Sequence, residues 1–131
     1  MDLTLPKRSL LLIIVCLLAG ISGCGVIQTS PPEQTFEGIL TYAFEVSSFR
    51  PCGSENDSWF TAPAESGFWE KYQALGPFQA GEQGTAYVYT RFTGTLASGD
   101  PNGYGHLGQY QSEVTVKEVL EIRPAIPGEC P

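Results

Sequence analysis

Apolar and polar residues alternate with period two in three stretches of the chain, the pattern of strands with one buried face. From Phe36 to Val46, Phe36, Leu40, Tyr42, Phe44 and Val46 share one parity with Gly38. Glu37, Thr41, Ala43 and Glu45 share the other, interrupted by Ile39. From Thr85 to Leu96, Ala86, Val88, Phe92 and Leu96 point inward, and Thr85, Tyr87, Tyr89, Arg91, Thr93 and Thr95 point outward. From Glu113 to Arg123, Val114, Val116, Leu120 and Ile122 fall inward, and Glu113, Thr115, Lys117 and Glu121 outward. Glu118 and Val119 break that alternation, which predicts a bulge or bend near Lys117. Ser58 to Thr61 reads as a further short strand. Pro63 to Leu75 is the one helix candidate: Phe68, Tyr72 and Leu75 recur at helical spacing, and Gly76-Pro77 is a stop signal. Gly67 inside it weakens the helix, and Phe68 and Trp69 read as core packing rather than a ligand box.

Composition narrows the fold. The 15 Gly and 10 Pro are too many breakers for a helical bundle. Hydrophobic residues at 42% suffice for a core. Ala97 to Gln111 is a long connection whose Asp100-Pro101-Asn102-Gly103 is a strong turn signal. The expected fold class is all-β with one short helix, a small five-stranded OB-like barrel that closes its own sheet edges.

The first residues read as an address. Lys7 and Arg8 precede an apolar run from Leu10 to Ile21. That run is about 12 residues, against roughly 20 for a membrane-spanning helix. Ile21-Ser22-Gly23-Cys24 then places small residues before a cysteine. The stretch resembles the lipobox of bacterial lipoproteins. The resemblance implies cleavage before Cys24 and acylation of that residue, which anchors the chain to a membrane. The expected organisation is a signal peptide over 1–23, a tether over 24–35 with Pro31-Pro32 in it, and the barrel domain over 36–131. With Gly25 second, the analogy with enteric lipoproteins favours an outer membrane, facing the periplasm, in a Gram-negative host.

Charge and cysteines bound the chemistry. Seven Lys and Arg stand against 14 Asp and Glu, a formal charge of −7. Losing Asp2, Lys7 and Arg8 makes the remainder one unit more negative. Such a surface argues against nucleic acid as a partner, because counterion release needs a basic face. Cys16 leaves with the signal peptide, so Cys52 and Cys130 are the remaining pair in an oxidising compartment. A bridge between them is the leading reading, worth about 4 kcal/mol in the chain-entropy model. Two free thiols, or a metal site with His106 and Asp57, are the alternatives. Phe49-Arg50-Pro51-Cys52-Gly53 reads as a rigid corner in which Arg50 pairs with a carboxylate.

Candidate binding residues are Tyr87, Tyr89 and Arg91 on the outward parity, with His106 and Tyr110 in the Gly-rich connection. Aromatic rings beside a guanidinium suit a sugar ring, a peptide or a protein surface. Cross-strand packing of the tyrosines is the structural alternative. The carboxylates are scattered and no nucleophile stands at readable spacing to His106, so no catalytic residue, metal or cofactor is assigned and no enzymatic activity is expected.

Two groups of residues carry a family resemblance. Phe36-Glu37-Gly38, Phe49-Arg50-Pro51-Cys52-Gly53 and Trp59 form the first. Tyr87, Arg91, Gly94 and Leu96, then Tyr104 to Leu107 with Gly108 and Tyr110, then Val114, Val116, Val119 and Leu120, form the second. Together they resemble the C-terminal OB domain of NlpE-type envelope lipoproteins. The N-terminal domain of that family, with its Cys-x-x-Cys motif, has no counterpart here, so copper binding is not carried over. The resemblance implies a barrel held at the cell envelope. The expected function is a lipid-anchored, non-enzymatic binding or scaffold module that meets an envelope protein. A binder of a small ligand or oligosaccharide is the alternative, and a small envelope enzyme a remote third.

Overall fold

The first alternating stretch turns back on itself. In the computed structural model, which describes residues 29–76 and 84–130, β1 (Glu33–Ala43) ends at a two-residue turn, Phe44-Glu45. β2 (Val46–Pro51) starts directly after it. The expected single strand to Val46 is therefore two strands of a hairpin, with Ala43 opposite Val46. Phe44, expected inside, is 89% exposed at the tip. Short hairpin turns favour residues that accept positive φ, usually Asn-Gly or Asp-Gly. Here Glu45 takes that conformation at φ 57°, so the usual turn signal is missing from the sequence.

Four more elements follow: β3 (Ser58–Thr61), α1 (Phe68–Ala74), β4 (Ala86–Ser98) and β5 (Ser112–Pro124). The predicted helix from Pro63 is shorter than expected. Ala64–Ser66 forms a single 3-10 turn, and Gly67 at φ 66° breaks the chain before α1 begins. Gly67 is tolerated because it starts a helix rather than sitting inside one. Pro77, part of the stop signal, lies outside the described residues, as do the stretch expected to be a signal peptide, Cys24 and the first part of the expected tether. β1 begins at Glu33, inside the stretch expected to be tether.

The strands close into a ring in the order β1-β2-β3-β5-β4 and back to β1, the five-stranded OB-like barrel with one short helix. All pairings are antiparallel except β3 with β5. Along β5 two residues are extra to the ladder. Lys117 falls between the partners of Thr93 and Gly94, and Leu120 between those of Arg91 and Phe92. The first is the bulge predicted near Lys117. The second re-aims the strand again, so Val119 rather than Leu120 packs against the core, and Leu120 is exposed. Leu96, also expected inside, is exposed near the end of β4.

The core is a set of phenylalanines inside the ring. Phe92 stacks on Phe36 at 5.2 Å and meets Phe49 at 5.1 Å and Phe60 at 5.6 Å, centroid to centroid. Leu40, Val88, Val114 and Val116 fill the space around them. α1 contributes Phe68, fully buried, edge-on to Phe60 at 4.8 Å. Two of the buried serines are satisfied locally: Ser47 donates to the Phe60 carbonyl at 2.8 Å, and Ser58 shares a hydrogen bond of 2.7 Å with Ser112.

After β5 the chain runs back over the barrel. The Ala125 amide donates to the Tyr87 carbonyl at 3.1 Å. Arg123 pairs with Glu121 and Glu129, and its hydrogen bond holds the Glu129 carboxyl below the ordinary range. Cys130 then joins Cys52 in a disulfide, with Cα atoms 4.5 Å apart. The bridge removes both sulfurs from the metal alternative. It pins the tail to the turn that follows β2.

Candidate functional site

The five residues proposed from sequence do not converge on one site. Tyr89 has the outward parity expected of it, yet it is only 7% exposed. Arg123 lies over its ring at 3.9 Å, and its hydroxyl donates to Glu37 at 2.8 Å. That hydrogen bond, with burial, raises the hydroxyl's pKa and keeps it neutral. Tyr89 is thus a packing residue between β1 and β5. Arg91 faces Glu121 at 3.8 Å, an exposed pair. Tyr87 is half exposed and lines a cleft of about 280 Å³ with Ile39, Ala125, Ile126, Pro127 and Glu129, formed by the returning tail.

Tyr110 lies elsewhere, packed on Trp59 at 5.4 Å. It lines a polar cleft of about 450 Å³ with Arg50, Asn56, Asp57, Gln109 and Gln111. Arg50 pairs with a carboxylate, as expected, and the partner is Asp57: Nε donates to one oxygen at 2.5 Å and Nη2 to the other at 3.1 Å. Ser48 adds a third hydrogen bond to Asp57 at 3.0 Å. The same ion pair also borders the depression that holds Tyr87 and Cys130. Arg50 and Asp57 therefore separate the two tyrosines rather than gather them.

His106 is on the β4–β5 connection. The predicted Asp100–Gly103 turn forms there, with the Gly103 amide donating to the Asp100 carbonyl at 3.0 Å and the Asn102 amide to its side chain at 2.8 Å. Backbone bonds between Tyr104 and Tyr110 then close a loop that presents His106 and Leu107. His106 Nε2 stands 3.6 Å from the Glu45 carboxylate on the β1–β2 turn. Two loop tips distant in sequence thus meet. Phe44 and Leu107, next to the contact on each side, are 89% and 79% exposed. Glu45 and Leu107 both hold positive φ, at 57° and 60°, conformations that L residues adopt at a cost and that recur at functional loops.

Beside these tips is a further cleft, of about 320 Å³, that the sequence reading missed. Tyr42, Trp59 and Trp69 wall it, Val46 and Phe60 add apolar surface, and Glu45 stands at its edge. The Tyr42 and Trp69 rings are 4.9 Å apart and tilted by 50°. Trp69 was expected to be core; it packs partly against the core and also forms this wall. Tyr42 was placed by parity alone. The one available signal was that Trp59 and Trp69 are the only 2 tryptophans in the chain and stand on either side of one strand-to-helix connection. No protein-family model, curated protein or solved structure matches the chain.

Proposed function

We propose that the protein is an envelope lipoprotein, anchored through Cys24, that binds a protein partner through the paired tips of its β1–β2 and β4–β5 loops and catalyses no reaction. The observation that carries the binding reading is the exposure of Phe44 and Leu107 on loops joined by the Glu45–His106 contact. Two large apolar side chains held out on strained backbone form a patch suited to an interface. The anchoring reading rests on Lys7, Arg8, the apolar run and Ile21-Ser22-Gly23-Cys24. A disulfide-closed domain is consistent with an oxidising compartment. The resemblance to the OB domain of NlpE-type lipoproteins points the same way. Among the described residues no helix is long and apolar enough to cross a membrane. Confinement to a surface raises the effective concentration of a weak binder without new contacts.

A photo-crosslinking residue at position 44 or 107 tests this in intact cells. One discrete protein adduct is expected from both positions, and none from position 71, where Lys71 lies on exposed α1. Equal yields at all three positions, or no adduct at 44 and 107, would contradict the loop-tip reading.

The polar cleft around Tyr110 favours a second reading, a small-ligand or oligosaccharide binder. Asn56, Gln109 and Gln111 present side-chain amides there beside an aromatic ring, the combination that grips sugar hydroxyls and a pyranose face.

A further inference from the structure

We infer that the aromatic cleft beside the β1–β2 turn is a binding site for an organic ammonium cation. Most polar groups around the cleft are already bonded within the protein. Ser47 is committed to the Phe60 carbonyl at 2.8 Å, and Thr61 donates to Glu113 at 2.6 Å. Trp69 Nε1 donates to the Ala62 carbonyl at 3.1 Å. A guest therefore meets the aromatic side chains of Tyr42, Trp59 and Trp69, with Glu45 among the lining residues. A sugar needs a fixed donor or acceptor for each of its hydroxyls, and Ser47, Thr61 and Trp69 already have partners. An anion needs a cation, and no Lys or Arg lines the cleft.

A quaternary or tertiary ammonium needs neither. Its charge is spread over a shell of methyl groups, which pack on rings while the positive field meets the negative ring faces. The carboxylate adds the counter-charge, and the chain's formal charge of −7 favours cations over the whole surface. Glu45 is 3.6 Å from His106 Nε2, and the other residues at the cleft edge bring no basic group to it. Glu45 takes a positive φ at the turn and lines the same cleft as the rings. Apart from His106, which faces the Glu45 carboxylate, no Lys or Arg among the described residues lines the cleft to receive a phosphate, so it takes a free cation rather than a phosphate-bearing head group.

This inference goes beyond the protein-contact reading and does not rest on it; failed crosslinking at positions 44 and 107 leaves it standing. The test is a titration of the full chain, solubilised in a maltoside detergent, with choline. Trp59 and Trp69 are the chain's 2 tryptophans and both wall the cleft, so emission reads occupancy directly. A saturable change is expected, with at least tenfold weaker binding of 3,3-dimethyl-1-butanol, the neutral isostere. Phosphocholine is expected to bind more weakly than choline. Glu45→Gln, an exposed change that leaves the fold intact by near-UV circular dichroism, is expected to weaken choline binding at least threefold. The inference is overturned by an unsaturable response, by equal binding of the neutral isostere, or by unchanged affinity in Glu45→Gln. Phosphocholine binding as tightly as choline would assign the cleft to a lipid head group and overturn the free-cation reading.

Discussion

Gly38→Ala is expected to destabilise the barrel by about 3 kcal/mol or more, at the upper end of what overpacking costs. Gly38 lies mid-β1, paired with Pro51 on one side and Thr90 on the other. A Cβ there would fall 2.1 Å from the Arg50 carbonyl oxygen and 2.8 Å from the Phe49 ring. The oxygen is backbone and cannot swing aside. The Phe49 ring is wedged against Phe92, Phe60 and Phe36. Relief must come from moving β2 away from β1, which loosens the ring and shifts Arg50 from Asp57. Gly53→Ala is the control: its φ is 75°, but no atom lies within 4 Å of the added carbon, so only the conformational cost of about 1–2 kcal/mol applies. Urea unfolding followed by tryptophan emission separates the two. A loss below about 1 kcal/mol at Gly38 would show that β2 gives way easily, contrary to the packing described.

Removing the disulfide is expected to have an effect of similar size by a different route. The bridge joins residues 78 apart, and closing a loop of that length in the unfolded chain is worth about 4 kcal/mol. The native state of a Cys52→Ala/Cys130→Ala double variant keeps its other tail contacts. These are the Ala125–Tyr87 backbone bond and the Arg123–Glu129 pair. The ring should therefore still close, and the loss should appear in stability rather than in fold. For a domain of this size about 4 kcal/mol corresponds to a Tm lower by more than roughly 15 °C. Thermal unfolding by circular dichroism measures it, and reductant should bring the parent protein to the same Tm. A shift of less than about 4 °C, the response to roughly 1 kcal/mol, would show that the bridge adds little constraint to the unfolded chain.

Much of the barrel could be read from residue order because parity reports the face of a sheet directly. β4 shows this, with Ala86, Val88 and Phe92 buried as their spacing requires. The broken alternation at Glu118 and Val119 likewise announced the bulge at Lys117. Other features escaped for definite reasons. The turn at Phe44-Glu45 uses a glutamate in a conformation usually left to Gly or Asn, so one long strand stood where there are two. Leu120 is a second extra residue only three positions after the first, Lys117, and period two cannot register both. Tyr89 faces outward as its parity says, but parity does not tell what covers a face, and Arg123 comes from another strand.

The candidate site was less legible than the fold. Its walls come from the end of β1, from β3 and from α1, residues that meet only when the ring closes. Tyr42 and Trp69 are distant in sequence and 4.9 Å apart in space. Each, taken alone, is a half-buried aromatic with an ordinary packing role. Likewise Phe44 and Leu107 read as a strand residue and a loop residue; the Glu45–His106 contact brings together the loops that carry them.

The central claim, a domain fixed to a membrane by its own N-terminal cysteine, is tested most directly by intact-mass analysis of the protein extracted from the host's membrane fraction. The account predicts a chain that begins at Cys24 and carries a diacylglycerol thioether on its sulfur. A chain with any other first residue, or one bearing an unmodified Cys24, would contradict it.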